Sequence, residues 1–406
     1  MLATTTTTAA RRPATAGGTP VRGEYLTFGR PHLDEVAIDE VLKTLRSGWI
    51  GTGPKTAQFE AELAAYLGVK HVVAVNSCTA ALHISLVAAG IGPGDDVLVP
   101  AMTFVATANA VLHAGARPVL CDVDPVSQMA TSAHLAAAVT PHTQAIVPVH
   151  FAGRAADMTD ILDFAWRKGC LVINDAAHAI ETRHAGRNIS GQGAMSCYSF
   201  YPTKNLTTGE GGAVATDDDA LADRLRMLRL HGLSADAWKR YSDTGFKHYE
   251  AVALGFKCNM TDVQASLGLP QLARIEEWSR RRMSIWTRYN EAFATLPVTT
   301  PAGWPAADRH ALHLYTLMLD LDRLSANRDT IAHALHLEGV GTGVHYRGLH
   351  LQPLYRDRYN LRPEMFPTAS RISAQTLSIP LSPALSDRDV DDVTEAVQRV
   401  LTHFAR

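Results

Sequence analysis

The chain has 406 residues, enough for a large core and two or three domains. Its 40 acidic and 38 basic side chains nearly balance, so net charge gives no sign of a nucleic-acid surface or a polyanionic partner. The five cysteines form no CxxC pair and no zinc spacing, which indicates free buried thiols in a reducing cytoplasm.

The first 22 residues are rich in Thr, Ala, Pro and Gly, contain no acid, and have too little apolar content to order themselves. We therefore expect residues 1–22 to form a disordered tail. A transit peptide shares this basic composition, but no apolar segment of a secretion signal is present. No later run approaches the length of a membrane span, so no membrane partner is expected.

Two helices are expected before the first strand. Apolar residues recur at helical spacing over residues 31–45, and this helix ends at Ser47-Gly48. The glycine-rich turn at residues 49–54 follows, and the second helix covers residues 56–67. Trp49 in that turn either forms a substrate wall or anchors a plain loop by packing.

The next 150 residues or so alternate between strand-like and helix-like segments. The predicted strands are 72–75, 97–99, 118–121, 145–149, 171–173 and 196–200, followed by a further strand at 213–216. The predicted helices between them are 79–89, 103–114, 132–139 and 157–168. This alternation indicates an α/β fold whose central sheet is mostly parallel, with helices on both faces and ligands outside the carboxyl ends of the strands.

Chemically capable residues follow several of these strands. Small residues around Thr79 open a helix whose free N–H groups could hold a phosphate, although taken alone they are better explained by a simple N-cap at Ser77 or Thr79 without a ligand. Phe104 offers an aromatic ring, and Asp175 with His178 offers a carboxylate and an imidazole.

The last of these strands leads to Lys204 in a glycine-rich turn. A single lysine is usually solvated, whereas a lysine in a dry pocket has a lowered pKa and can form a Schiff base with a carbonyl. Because the fold brings the strand ends to one edge, the residues named here together predict a pyridoxal phosphate (PLP) site.

Several runs of this sequence resemble the sugar aminotransferases of the DegT/DnrJ/EryC1/StrS family. They are Thr79-Ala-Ala-Leu-His83, Gly92-Pro-Gly-Asp95, residues 100–107, residues 147–153, Asp175-Ala-Ala-His-Ala179, residues 204–212 and Leu230-His-Gly232. The likeness spans roughly residues 24 to 400. Residues 255–262 and 341–350 most resemble the enzymes that form UDP-4-amino-4-deoxy-L-arabinose with oxoglutarate as co-product.

The resemblance implies PLP fold type I, with a large PLP-binding domain over residues 23–272 and a small C-terminal α/β domain over residues 273–406. It implies that Thr79, Ala80 and Ser199 bind the phosphate, that Phe104 stacks on the cofactor, and that Asp175 holds the pyridine nitrogen. His178 then lies near the ring hydroxyl and Lys204 carries the cofactor. Asn259 matches a residue that reaches the phosphate from the neighbouring subunit, which implies a homodimer with shared active sites.

Two positions depart from the family pattern. Asn174 stands where the family usually has Glu before the aspartate, and Gly348 replaces a bulkier residue. Both lie close enough to the predicted site to affect the substrate. Trp49, Arg229, His345 and Arg347 are the residues expected to select that substrate.

A loop, a linking helix and the second domain follow. The resemblance places the loop after Leu230 beside the partner's active site; this loop is rich in Trp238, Tyr241, Lys247, His248 and Tyr249. A helix from residue 262 to about 294, carrying Pro270, links the domains. Arg280, Arg281 and Arg282 form either a solvated helix face or a contact to a nucleotide diphosphate.

A strand, a helix, a second strand and a closing helix follow at residues 312–319, 328–338, 340–345 and 387–404. Four histidines in this region lack a familiar ligand spacing, so no metal is expected.

The resulting hypothesis is a cytoplasmic ping-pong aminotransferase that moves an amino group from an amino acid, expected to be L-glutamate, to a nucleotide-linked keto sugar. A 4-keto sugar is the expected acceptor. Two alternatives stay open on the sequence: amination of a ketocyclitol, and a PLP-binding regulator without turnover.

Overall fold

The computed structural model describes residues 12–233 and 250–406. The helices are α1 Glu35–Ser47, α2 Pro54–Leu67, α3 Cys78–Ala88, α4 Val105–His113, α5 Ser132–Ala138, α6 Met158–Lys168, α7 Asp219–Leu228, α8 Asp262–Phe293, α9 Arg328–Leu337, α10 Pro353–Tyr359, α11 Pro367–Gln375 and α12 Asp387–Phe404. The strands are β1 His71–Val75, β2 Asp96–Pro100, β3 Arg117–Cys121, β4 Thr143–Ile146, β5 Leu171–Asp175, β6 Arg183–His184, β7 Arg187–Asn188, β8 Met195–Ser199, β9 Gly212–Thr216, β10 Val298–Thr299, β11 Tyr315–Leu319 and β12 Thr376–Ile379.

A seven-stranded sheet forms the centre of the larger part of the chain, with strand order β1-β9-β8-β5-β4-β2-β3. The five strands from β8 to β3 pair in parallel, while β9 runs antiparallel to both β1 and β8. The predicted mostly parallel sheet is therefore confirmed, and its strands agree with the sequence pattern to within a few residues.

Helices cover both faces of this sheet because its strands are apolar on both sides. Val73 and Val75 of β1 pack with apolar residues of α3 and α4 in one core. Val72 and Ala74, which point the opposite way, pack with apolar residues of α2 and α8. The carboxyl ends of β5 and β8 then lead into the turns that carry Asp175 and Lys204.

A second, antiparallel sheet of order β10-β11-β12 lies in the C-terminal part. Its core combines apolar residues from the last turns of α8 with residues of α9 and α12, including Trp286, Tyr289, Leu335 and Val397. Helix α8 thus contributes to two cores, and Pro270 lies inside it without ending it.

Two sequence predictions differ from the structure. The predicted strand at 340–345 is an irregular segment, because β12 occupies the sheet position beside β11 and only single bridges join Val340 to Leu26 and Gly343 to Ser378. The described part of the predicted tail, residues 12–22, is packed against the second sheet region rather than disordered. Glu338 anchors it by accepting from Ala14 N at 2.6 Å and Val21 N at 2.8 Å.

The five named residues of the predicted loop after Leu230 fall within residues 234–249, which lie outside the described residues together with the first 11 residues. Among the helices of the described ranges, none combines the length and the apolar character that a bilayer crossing requires.

Candidate active site

A cavity of about 360 Å³ opens at the carboxyl edge of the large sheet. We call it the Lys204 cavity. Residues from five different turns line it, among them Ser77, Cys78, Thr79, Phe104, Asp175, His178, Ser199, Tyr201, Lys204, Glu210, His345 and Tyr346. The structure therefore brings together Thr79, Phe104, Asp175, His178, Ser199, Lys204 and His345 from the set that the sequence predicted.

The start of α3 forms one wall of the Lys204 cavity. The Ser77 side chain accepts from Ala80 N at 3.1 Å, which caps the helix and leaves the other N–H groups of the first turn for a ligand. Ser77 is therefore the N-cap of α3, while Thr79 lines the cavity, and phosphate binding at this turn stays a prediction. A Cβ at Gly212 would lie 2.4 Å from the backbone carbon of Ser77, so only glycine lets β9 approach this turn.

Lys204 lies in the turn that follows β8, where its backbone N–H donates to Tyr201 O at 2.9 Å. Its side chain is partly buried and lines the cavity. Burial lowers the pKa of the Lys204 ammonium to about 8, and Cys78 and Asp175 only partly oppose this shift. About a tenth of the lysine is consequently a neutral, nucleophilic amine at pH 7, far more than for a lysine with the ordinary pKa.

Asp175 ends β5 and is buried. One carboxylate oxygen accepts from the Thr107 hydroxyl at 2.8 Å, and the other accepts from Ala177 N at 3.2 Å. Burial raises the pKa of Asp175, whereas these two hydrogen bonds and the nearby Lys204 act in the opposite direction. A cationic ligand nitrogen in the cavity would hold this carboxylate ionised.

His178 has a defined tautomer. Its Nδ1 accepts from Ala152 N at 3.2 Å, so Nε2 carries the proton and donates to the Tyr346 hydroxyl at 3.0 Å. Burial and the nearby Lys204 lower the pKa of His178 well below its ordinary value, which keeps the imidazole neutral. The His313 ring packs on it with centroids 4.4 Å apart.

Phe104 and His345 both line the cavity and differ in their surroundings. Phe104 precedes α4 and is 55% exposed, which is unusual for a large aromatic side chain. His345 Nδ1 lies 2.8 Å from Ser378 Oγ, and burial lowers the pKa of His345 to about 4.

Other predicted site residues lie outside the cavity of this subunit. Trp49 is half-exposed, Arg347 is exposed, and Asn259 donates from Nδ2 to the Thr52 hydroxyl at 2.5 Å. Arg229 is buried, where it pairs with Glu60 and donates to Ala74 O at 2.8 Å. This placement gives the Arg229 guanidinium a structural role between α2 and β1. Ala80 follows Thr79 in α3, and its N–H is used by the Ser77 cap.

A buried polar network behind Lys204 was missed by the sequence reasoning. Asn205 donates from Nδ2 to Ala311 O at 2.7 Å and to Glu181 Oε2 at 2.9 Å, while its Oδ1 lies 3.1 Å from His313 Nδ1. Glu181 forms an ion pair with Arg282, and both side chains are almost fully buried. Arg282 therefore belongs neither to a solvated face nor to a diphosphate site, because its partner lies inside the protein.

Tyr346 and Thr107 were also missed, although both lie in runs that carry the family resemblance. One sequence feature could have identified Thr107: it places a hydroxyl on the sheet-facing side of α4, where the other residues are apolar. Tyr346 could have been identified as an aromatic residue directly after His345, in the glycine-containing turn expected near the substrate.

The two departures from the family pattern have structural explanations. Asn174 points away from Asp175 and donates from Nδ2 to Gln192 O at 2.5 Å and to Ser196 Oγ at 3.0 Å. A Cβ at Gly348 would lie 2.6 Å from His350 Cε1, so the glycine makes room for the buried His350 ring. Both residues affect packing next to the site rather than its surface.

The residues of the Lys204 cavity fit PLP. A lysine amine with a lowered pKa, a buried carboxylate that already has two donors, and the start of a helix fit the aldehyde, the ring nitrogen and the phosphate. With the mostly parallel sheet and the lysine after its strand, they define a PLP-dependent enzyme of fold type I.

The whole chain is similar to known proteins of one kind. The model of the DegT/DnrJ/EryC1/StrS aminotransferase family matches residues 31–398. The spore coat polysaccharide biosynthesis protein SpsC of Bacillus subtilis is 46% identical over 381 residues, which cover 94% of this chain and 98% of SpsC. The chain thus belongs to the DegT/DnrJ/EryC1/StrS aminotransferase family, and it is a PLP-dependent sugar aminotransferase.

Solved structures agree with this assignment. The aminotransferase TlmJ from Streptoalloteichus hindustanus has a TM-score of 0.85 at 35% identity, over 93% of this chain and 99% of TlmJ. The PLP form of Spr1654 from Streptococcus pneumoniae, which carries the name of a sugar aminotransferase, has a TM-score of 0.86 at 31% identity over 93% and 99%. The predicted cofactor and fold type are confirmed.

Proposed function

We propose that the enzyme transfers an amino group from L-glutamate to the 4-keto group of a nucleotide-linked sugar in a ping-pong reaction. The observation that carries this proposal is the Lys204 cavity, which Lys204 lines together with the buried Asp175 and the start of α3. The name of the similar protein SpsC, which concerns polysaccharide biosynthesis, supports a sugar acceptor. A UDP-linked 4-ketopentose is the first acceptor to test, as the residue pattern at 255–262 and 341–350 suggests.

The chain's own residues have distinct roles in this proposal. When bound, PLP supplies an electrophilic carbon and a ring that accepts electrons from the substrate carbon. Lys204 Nζ accepts the proton from the substrate carbon and later returns it, which requires the neutral amine that burial provides. Asp175 keeps the ring nitrogen protonated, and His178 and Tyr346 present a hydrogen-bonded pair to the same side of the cavity.

A homodimer with shared active sites is part of the proposal. Glutamate and a nucleotide diphosphate carry several negative charges, yet Lys204 is the only lysine or arginine among the described residues that line the cavity. The partner subunit would supply the remaining positive charge. Exposed apolar side chains near the cavity and along α1 support such an interface: Val36, Leu45, Trp49, Ile50, Phe104 and Tyr201. We also propose that the enzyme works in the cytoplasm, where its five free thiols stay reduced.

A panel of keto acceptors tests the function. The enzyme is first converted to its amino form with glutamate, and the cofactor absorbance is then followed as each acceptor is added. A UDP-linked 4-ketopentose, nucleotide-linked 4-ketohexoses and a ketoinositol form the panel. We expect the absorbance of the PLP form to return only when a nucleotide-linked keto sugar is added. A return only with the ketoinositol would make the protein a cyclitol aminotransferase, and a lack of 2-oxoglutarate formation with every acceptor would favour a regulator.

A further inference from the structure

Two threonines lie behind the wall of the Lys204 cavity and connect to Asp175. Thr103 lies in the turn after β2, and Thr107 lies in the first turn of α4. Thr107 Oγ1 donates to Asp175 Oδ2 at 2.8 Å, and the Oγ1 atoms of Thr103 and Thr107 are also 2.8 Å apart. Neither threonine is among the described residues that line the cavity, so both would act on a bound ligand only through Asp175.

The number of protons fixes the direction of this hydrogen-bond chain. A hydroxyl group has one proton to donate, and the Thr107 proton is used on Asp175. The proton between the two threonines must therefore come from Thr103. The reverse direction would need a protonated Asp175 as the first donor. Because a hydrogen bond to an ionised acceptor is roughly twice as strong as a neutral one, the chain favours the ionised carboxylate.

Burial makes the chain important for the charge of Asp175. The residues Thr103, Thr107 and Asp175 are only 2%, 1% and 6% exposed, so bulk water cannot replace a lost donor. Burial raises the pKa of Asp175, and the hydrogen bond from Thr107 opposes this rise more strongly than the charge of Lys204 does. Hydrogen bonds in a chain polarise one another, so donation from Thr103 strengthens the bond that Thr107 makes to the carboxylate.

The charge of Asp175 decides where one proton lies when PLP is bound. That proton is shared between the ring nitrogen and the carboxylate, and a carboxylate that loses a donor becomes more basic and takes the larger share. We propose that Thr103 and Thr107 are positioning residues, whose hydrogen-bond chain keeps Asp175 ionised and thereby keeps the proton on the ring nitrogen. This inference rests on the proposed function, in which Asp175 faces that nitrogen.

The 15N resonance of the ring nitrogen tests the proposal, because protonated and unprotonated pyridine nitrogens resonate at well-separated positions. The enzyme is loaded with PLP labelled at that nitrogen and measured without substrate. We expect the protonated form in the wild type. Thr107→Val keeps the shape of the side chain and removes the donor, so its resonance should move towards the unprotonated form. Thr103→Val should move the resonance in the same direction by less, because the bond from Thr107 to Asp175 remains.

Serine variants separate the hydroxyl group from the rest of the side chain. Thr103→Ser and Thr107→Ser retain the donor, so the nitrogen resonance should stay at the wild-type position in both. The value of kcat should be about tenfold lower in Thr107→Val than in Thr107→Ser, the effect expected for one buried hydrogen bond. An unchanged resonance in both valine variants, or equal changes in the valine and serine variants, would overturn the proposal.

Two further variants separate this inference from a general loss of stability and from the role of Asp175. Thr216 is equally buried and donates to Ala194 O at 2.8 Å at the opposite end of β9 from Gly212. Thr216→Val should leave the nitrogen resonance unchanged, and a change equal to that in Thr107→Val would overturn the proposal. Asp175→Asn should give the unprotonated form. If it does while the valine variants keep the wild-type resonance, the threonine chain alone is wrong, whereas a protonated nitrogen in Asp175→Asn would contradict the proposed role of Asp175 as well.

Discussion

Tyr346 accepts a hydrogen bond of 3.0 Å from His178 Nε2, and this contact joins the irregular segment after α9 to the turn that follows β5. Because His178 donates, the phenol proton of Tyr346 remains for another acceptor in the Lys204 cavity. The two residues are 168 positions apart and act as one hydrogen-bonded unit.

The first prediction concerns this unit. Tyr346→Phe should lower kcat/KM by about tenfold, the effect expected when one hydrogen bond is lost in a buried site. Steady-state kinetics with saturating glutamate measures this change in kcat/KM. Tyr355→Phe is the control, since its hydroxyl donates to Asn109 at 2.7 Å away from the cavity, and it should leave kcat/KM unchanged. Equal kinetics for the wild type and Tyr346→Phe would exclude a role for the phenol.

The second prediction concerns the pH dependence of cofactor capture. The neutral amine is the reactive form of Lys204, and its pKa of about 8 lies below the ordinary value because the ammonium is buried. Cofactor-free enzyme should therefore react with PLP about tenfold faster at pH 9 than at pH 7, and level off above that. An amine with the ordinary pKa, such as Nα-acetyl-lysine, should instead show about a hundredfold increase. Stopped-flow absorbance measures the rate at each pH and distinguishes the tenfold increase from the hundredfold one.

The third prediction tests the shared active site. Lys204→Ala and Asn259→Ala should each have little activity, because one lacks the amine and the other lacks the predicted contact from the neighbouring subunit. When equal amounts of the two variants are unfolded and refolded together, about a quarter of the wild-type activity should return, since half of the dimers are mixed and each has one intact site. Recovery no greater than in the separate refolded samples would contradict a contribution of Asn259 across the interface.

The fourth prediction concerns the buried ion pair. Glu181→Gln leaves the Arg282 charge without its partner in the protein interior, so the free energy of unfolding should fall by about 3 to 5 kcal/mol. Glu40→Gln breaks a partly exposed ion pair with Lys55, so it should lower the free energy of unfolding by much less. Urea unfolding monitored by tryptophan fluorescence gives both values. A loss in Glu181→Gln no larger than in Glu40→Gln would show that the pair contributes little.

The fifth prediction concerns the stabilising role of the Asn174 side-chain amide. In Asn174→Asp a carboxylate replaces the amide that donates two buried hydrogen bonds, and it faces the oxygens of Gln192 and Ser196. The free energy of unfolding should therefore fall by about 3 kcal/mol or more. Asn327→Asp is the matched control. Asn327 caps α9 by accepting from Thr330 N at 2.9 Å, which an aspartate does equally well. Equal stability of the two variants would contradict the assigned role of the Asn174 amide.

The large sheet and the front of the site could be predicted from the sequence because each buried strand is a short apolar run that ends at a polar or glycine-rich turn. Thr79, Asp175 and Lys204 follow such runs directly, so their position at one edge follows from the topology. Residues 340–345 contain only two apolar side chains, Val340 and Val344, and which segment pairs with β11 depends on packing against the rest of the C-terminal core.

The back of the site could not be predicted in the same way. Glu181, Asn205 and Arg282 come from three distant segments, and each alone has the character of a solvated surface residue. Only their contacts in the folded chain show that they form one buried unit. The segment 12–22 was missed for a similar reason, since its order depends on backbone hydrogen bonds to Glu338 and not on its own apolar content.

The narrow contact at Gly212 has a consequence for how the enzyme acquires its cofactor. Strand β9 lies between β1, which leads to the start of α3, and β8, which leads to Lys204. The chain must therefore be synthesised past residue 216, and β9 inserted, before the start of α3 and Lys204 reach their final separation. We expect PLP capture to require β9 in its place, so that cofactor absorbance should follow completion of the central sheet.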